Sequence, residues 1–359
     1  MSDPSAAGKS PTIEQLRAAL GKVEDPELHK DLIALNMIRD LTVEDGRVSF
    51  TLMLTTPACP LRDQIAAEAR EAVRAVPGVR DVQVKMDASV PGGAQHGQVQ
   101  VSARNIVAVS SGKGGVGKST IAVNLAVYLA QKGSCVGLLD ADIYGPNIPR
   151  MMGVSGLPAP EGEQIVPAEA FGVKMVSIGL MVEPGQPLIW RGPMLHSAIR
   201  QLLADVQWGL LDYLIIDLPP GTGDVQISLC QLIPVTGGLI VTLPQQVSLD
   251  DALRGLEMFR MVNVPIIGVV ENMSYWTGPD GIPIDIFGRG GGERMARQAG
   301  VPFLGEIPID PAVRIGGDSG KPVVVADPAS PVALALIQTA EKVAARVSIL
   351  ALEHAAAAR

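Results

Sequence analysis

The chain has 359 residues, 47% apolar but only 3% aromatic, so aliphatic side chains and alanine must fill a large core. A net charge of -8 argues against a general nucleic-acid binder, which needs a basic surface. Cys59, Cys135 and Cys230 are too few and too scattered for a disulfide framework. No run of 18 apolar residues is present to span a membrane, and Met1-Ser2-Asp3-Pro4-Ser5 has no basic-then-apolar signal region, so the expected setting is the cytoplasm.

After a polar start, residues 10–88 read as a small α+β domain. Thr12, with Gln15 three residues on, is a capping box for a helix that ends near Gly21. Residues 38–43 and 48–54 read as paired strands around a hairpin turn at Glu44-Asp45-Gly46-Arg47. The loop Thr55-Thr56-Pro57-Ala58-Cys59-Pro60 leads into a helix over about 61–76, and residues 79–84 give a third strand. This stretch, through its TTPACP loop, resembles the MIP18-like domain (domain of unknown function 59). The resemblance implies iron–sulfur work for the loop cysteine, here Cys59. A helix start beside it would lower the thiol pKa, whereas a purely packing role is the other reading. Residues 89–104 form a polar, glycine-rich linker.

The second domain is expected over 105–350. Its apolar run Asn105–Ser110 precedes Ser111-Gly112-Lys113-Gly114-Gly115-Val116-Gly117-Lys118-Ser119-Thr120, and a helix pattern follows. Strand, glycine loop and helix is the setting of a P-loop, whose backbone N–H groups cradle phosphates. Gly112, Gly114, Gly115, Val116, Gly117, Lys118, Ser119 and Thr120 are therefore the expected nucleotide cradle. Lys118 is expected on the β and γ phosphates and Ser119 on Mg²⁺. Lys113 directly after the first glycine is the deviant form KGGVGKS. That loop resembles the deviant Walker A ATPases typified by MinD, ParA and the nitrogenase iron protein. The resemblance implies a homodimer in which Lys113 reaches the partner subunit's nucleotide.

Gly133 is expected to stop the P-loop helix, and Ser134–Leu139 reads as a buried strand with Cys135 inside it. Asp140 and Asp142 follow at its end, where open α/β sheets bind ligands. The resemblance makes Asp142 the residue that orients the attacking water and Asp140 a support for the metal shell. A helix pattern covers about 195–208, and residues 212–217 form the next buried strand, ending in DLPPGTGD. Asp217 there is the expected Walker B ligand of Mg²⁺. Asp224 and Ser248 read as helix caps, and Cys230 as a core residue on a helix. Arg191 suits either charge pairing at a subunit face or plain surface exposure. The strand over 265–270 ends at Glu271-Asn272-Met273-Ser274. The last helix is expected from about Ser330, with a fraying end.

The motifs KGGVGKST, DADIYGPN, DLPPGTGD and ENMS together resemble the Mrp/NBP35 (ApbC-like) family of iron–sulfur cluster carriers. The resemblance implies a doubly wound, mostly parallel α/β P-loop NTPase of the MinD-like class behind the small α+β domain. It also implies slow, dimer-coupled ATP hydrolysis, adenine contacts at Asn272, Pro308 and Asp310, and iron–sulfur apoprotein clients or assembly factors as partners. The sequence departs from the family at Gly278 and Gly281, where a Cys-x-x-Cys pair usually stands. A bridging cluster would thereby lose its four thiolates. The alternative is a positioning or adaptor ATPase that holds a protein partner and carries no cluster.

Overall fold

The computed structural model describes residues 10–92, 99, 101–143, 145–162, 164–181 and 192–357, apart from the side chains of 192–196, 224 and 357. Arg191 lies outside the described residues. The chain divides at Val90/Pro91 into two compact units.

The first unit holds α1 (Ile13–Leu20), the short pair β1 (Glu24–Asp25) and β2 (Lys30–Asp31), β3 (Ile38–Glu44), β4 (Arg47–Leu54), α2 (Arg62–Arg74) and β5 (Asp81–Ala88). Thr12 and Gln15 form the capping box of α1 reciprocally. Asp45 and Gly46 both take positive φ, which matches the twist of a tight two-residue hairpin. In β4 burial alternates, with Val48, Phe50, Leu52 and Leu54 inside. Strand β4 pairs antiparallel with β3 and parallel with β5, and α2 makes the crossover. Leu16, Leu20, Ile65 and Val73 close the core from the helices, and Cys59 packs within it.

The second unit is built around an eight-stranded sheet. In chain order its elements are β6 (Ala103–Ser110), α3 (Lys118–Gln131), β7 (Val136–Asp140), α4 (Ile148–Met151), β8 (Ala168–Ala170), β9 (Val173–Ser177), α5 (Gly192–Ala204), β10 (Leu211–Asp217), α6 (Asp224–Leu232), β11 (Gly237–Thr242), α7 (Gln246–Met261), β12 (Ile266–Glu271), β13 (Trp276–Thr277), β14 (Pro283–Ile284), α8 (Gly291–Ala299), β15 (Phe303–Glu306), α9 (Pro311–Ser319), α10 (Val323–Ala326) and α11 (Pro331–Ala357). The sheet order is β15-β12-β11-β6-β10-β7-β9-β8, parallel except for β8. Strand β6 is central, and β7 and β11 lie on opposite sides of it. The chain therefore winds outward in both directions, and a crevice opens at the C-terminal ends of the strands. Strands β7 and β11 are buried throughout, as parallel strands covered on both faces must be.

Several local expectations need correction. Strand β7 begins at Val136, and Cys135 just ahead of it is exposed, not core; its N–H donates to the Asp212 carboxylate at 2.9 Å, outside the strand ladder. Ser248 does not cap α7. The helix starts two residues earlier behind Gln245, and the Ser248 hydroxyl instead accepts from Leu243 N–H at 3.1 Å. The N-cap of α6 is Gly223, which makes Asp224 its first helical residue. Helix α11 extends to Ala357.

Candidate functional site

The loop between β6 and α3 is shaped by glycines, each for its own reason. Gly115 and Gly117 take φ of 79° and 87°, the left-handed region where an L side chain is strained. A Cβ on Gly112 would collide with the Asp251 backbone on α7, and one on Gly117 with the Asn272 amide. Ser111 Oγ donates to Lys113 O at 2.9 Å, and Ser111 O accepts from Gly221 N–H at 2.9 Å. The loop is thereby tied to the Pro219-Pro220-Gly221 turn. Gln226 Nε2 fixes that turn in its own right, donating to Pro220 O at 2.6 Å. Lys113 stands half-buried on the rim and makes no ion pair with a described residue.

Three strand ends bring the carboxylates together. Asp217 on β10 is in register with Asp140 on β7 and with Val109 on β6. Lys118 is 5% exposed, and its Nζ lies 2.7 Å from Asp217 Oδ1 and 3.4 Å from Asp142 Oδ2. Ser119 Oγ donates to Asp217 Oδ2 at 2.5 Å. Asp140 sits behind this group. Its carboxylate accepts from Ser177 Oγ at 2.9 Å and from Asp142 N–H at 3.2 Å, so it orients the Asp142 backbone. Burial pushes the Asp140 carboxyl up to about 8, and the nearby Asp217 charge adds to the shift. Asp217 is also raised by burial, against the Lys118 charge and the Lys118 and Ser119 hydrogen bonds.

These side chains fit a hard divalent cation. The donors are a hydroxyl and carboxylates, the oxygen set that Mg²⁺ prefers. Asp142 Oδ1 is buried and has no hydrogen-bond partner among the described residues.

Beside the phosphate loop lies a cavity of about 240 Å³, lined by Gly115, Lys118, Ser119 and Asp142. It shares Thr120, Asn147, Met151 and Met273 with a larger cavity of about 570 Å³, which Asn272, Pro308 and Asp310 also line. The two are continuous through these shared residues. Asp310 is in addition the N-cap of α9, accepting from Ala312 N–H at 2.8 Å. Arg150 and Arg314 of the larger cavity, and Met273 between the two, were not singled out from the sequence. Their neighbourhood is formed by α4 and α9 meeting, which no local motif signals.

Comparison with known proteins agrees with this geometry. The family profile described as NUBPL iron-transfer P-loop NTPase matches residues 102–344. The chain belongs to the NUBPL iron-transfer P-loop NTPase family. A second profile, iron-sulfur cluster assembly protein, matches residues 13–111. An iron-sulfur cluster carrier protein of Synechocystis sp. is 52% identical over 355 residues, covering 95% of this chain and 99% of that one. A solved nucleotide-binding protein from Archaeoglobus fulgidus, in complex with ADP, is similar with a TM-score of 0.57 and 35% identity, over 65% of this chain and 91% of that one. The cell division ATPase MinD of Pyrococcus furiosus gives 0.52 and 27%, over 66% and 97%.

The segment after Asn272 holds no cysteine. Strands β13 and β14 pair antiparallel around a turn in which Gly278 N–H donates to Ile282 O at 3.1 Å and Gly281 N–H to Gly278 O at 2.9 Å. Gly278 and Gly281, which replace the expected cysteine pair, therefore make a backbone turn that offers no thiolate. Ile282, Ile284, Ile286 and Phe287 are exposed beyond it. Cys59 is buried, and burial pushes the buried Cys230 thiol up to about 12, so Cys230 is protonated at neutral pH. Among the described residues no three His, Cys, Asp or Glu side chains converge as a metal-holding group. Among them, too, no helix is long and apolar enough to cross a membrane.

Proposed function

We propose that the chain is an ATP-hydrolysing carrier that delivers iron–sulfur clusters to apoproteins as a homodimer. The observation that carries the ATPase is the buried group of Lys118, Ser119, Asp142 and Asp217 at the mouth of the glycine loop. Support for the cluster as cargo comes from the family and from relatives named as carriers, which favour this reading over an adaptor ATPase.

The backbone N–H groups from Gly112 to Thr120 bind the phosphate chain, and Lys118 neutralises charge on the β and γ phosphates. Asn272, Pro308 and Asp310 border the adenine. Asp142 places a water in line with the γ-phosphorus. The water oxygen bonds to phosphorus, the bond to the β–γ bridging oxygen breaks, and ADP and phosphate leave. Ser119 and Asp217 would hold Mg²⁺, supported by Asp140, and it would supply charge neutralisation at the phosphate oxygens. Lys113 reaches the nucleotide of the partner subunit, so turnover and the opening of the dimer are linked.

The cluster itself is carried with ligands drawn partly from outside. Cys59 packs in the core of the first unit, so its thiol reaches a cluster only when the loop that carries it opens; two copies then give two thiols, and a client protein or glutathione would complete the four. Such a cluster is labile and exchangeable, as delivery requires. The test of the ATPase is isothermal calorimetry on Lys118→Ala with Mg·ATP. A strong loss of affinity is expected, and unchanged affinity would overturn the P-loop assignment.

A further inference from the structure

The larger cavity of the nucleotide site, about 570 Å³, has no aromatic side chain among the described residues that line it. A base bound there finds no ring to stack on. Two planar cations stand in that lining instead, the guanidinium groups of Arg150 on α4 and Arg314 on α9. They differ in their engagement. Arg314 Nη1 lies 2.9 Å from Asp318 Oδ2, one turn along the same helix. Arg150 is exposed, and its guanidinium makes no ion pair or hydrogen bond with a described residue.

Helix α4 is held on both sides of Arg150. Ile148 and Met152 are buried, Ile148 N–H donates to Asp140 Oδ2 at 3.4 Å, and Val154 N–H donates to Pro149 O at 2.8 Å. With those residues turned inward, Arg150 and Met151 line the cavity. The C-terminal ends of α4 and α9 meet backbone to backbone. Gly153 and Gly320 take φ of 68° and 70°, and a Cβ on Gly320 would collide with Gly153 Cα. That contact sets how far apart the two helices stand, and so the width of the cavity beside Arg150.

A nucleotide meets different chemistry at each of its parts. The phosphate loop takes the phosphates. Asn272 lines the cavity with Nδ2 donating to Val116 O at 2.8 Å, which keeps Oδ1 as an acceptor for the edge of a base. Neither group covers the face of the base. A guanidinium is flat, permanently charged and weakly hydrated, and it packs on aromatic faces. We propose that Arg150 lays its guanidinium on the face of the adenine and so strengthens the hold on the base, a contact separate from the edge contact at Asn272. This rests on the nucleotide site assigned above.

A ligand with no base isolates the contact. The full chain is titrated in calorimetry with Mg·ATP and with Mg·tripolyphosphate. Arg150→Ala is expected to weaken ATP by roughly threefold to tenfold and to leave tripolyphosphate unchanged. Arg150→Lys keeps the charge and loses the plane, so its ATP affinity should lie closer to that of Arg150→Ala than to that of the unaltered chain. Arg314→Ala should cost less ATP affinity than Arg150→Ala, because its guanidinium is already taken by Asp318. The Arg150 side chain has no described partner to lose, so both of its variants should fold. Arg150→Ala binding ATP as tightly as the unaltered chain would overturn the inference. So would full ATP affinity in Arg150→Lys, or an equal loss of tripolyphosphate in Arg150→Ala, which would make Arg150 a phosphate contact. Failure of the unaltered chain to bind either ligand is a different result, and would overturn the nucleotide site itself.

Discussion

Lys118 is a buried cation between two acids, so replacing it with an apolar side chain of similar length, Lys118→Met, should unbalance the core of the site. Asp217 is fully buried and Asp142 nearly so, and neither can regain water without opening the crevice. Removing one partner of such a group costs about 3–5 kcal/mol at neutral pH. With a urea dependence near the upper end of the usual range, roughly 3 kcal/mol per molar, the midpoint should fall by about 1–2 M. Trp190, Trp208 and Trp276 all lie after residue 90, so tryptophan fluorescence reports this unit alone. The pH dependence has a definite sign. Burial raises the Asp217 carboxyl above its ordinary 3.8, and the Lys118 charge opposes that rise. Without the lysine the folded state binds its proton more tightly still, so it holds more protons than the unfolded chain. The deficit should be largest at pH 8 and shrink as pH falls toward 5. In the unaltered chain Asp140, pushed up to about 8, gives a loss of stability in the same direction as pH rises from 4 to 8. A midpoint within about 0.3 M of the unaltered chain at pH 8, or a deficit that grows at pH 5, would refute the reasoning.

Lys113→Ala should stay folded, since the side chain makes no ion pair with a described residue, yet lose ATP turnover. Phosphate release at saturating ATP checks this, and full turnover would contradict the role across the dimer. Glu271→Gln replaces one acceptor oxygen by a donor against Gly290 and Gly292 N–H, at a cost of about 1–3 kcal/mol. Limited proteolysis should then cut between Ser274 and Gly290, and a cleavage pattern like that of the unaltered chain would count against Glu271 as the group that holds this segment.

The phosphate loop was legible because its residues are contiguous and the strand and helix around it carry their own patterns. Asp142 and Asp217 were legible as acids ending apolar strands, since parallel strands deliver their C-terminal residues to one crevice. What escaped the sequence depends on distant partners. Cys135 sits in a continuous run that gives no boundary, and the strand start is set by Asp212, far along the chain. Ser248 has the chemistry of a cap but uses it on Leu243, back across the turn. The bond from Asn272 Nδ2 to Val116 O joins residues far apart in the chain, and nothing local in the sequence signals it.

The proposed carrier does not own a full ligand set for a cluster. Anaerobic reconstitution of the unaltered chain and of Cys59→Ser, Cys135→Ser and Cys230→Ser, with iron and sulfide counted after desalting, tests it most directly. Cys135 belongs in the set because it is exposed, whereas Cys230 is buried and protonated. Little iron is expected in the chain alone. With added thiol or an apoprotein acceptor, iron should be retained in a form that depends on Cys59 and passes to the acceptor. A stable, stoichiometric cluster that survives the loss of Cys59 would contradict it.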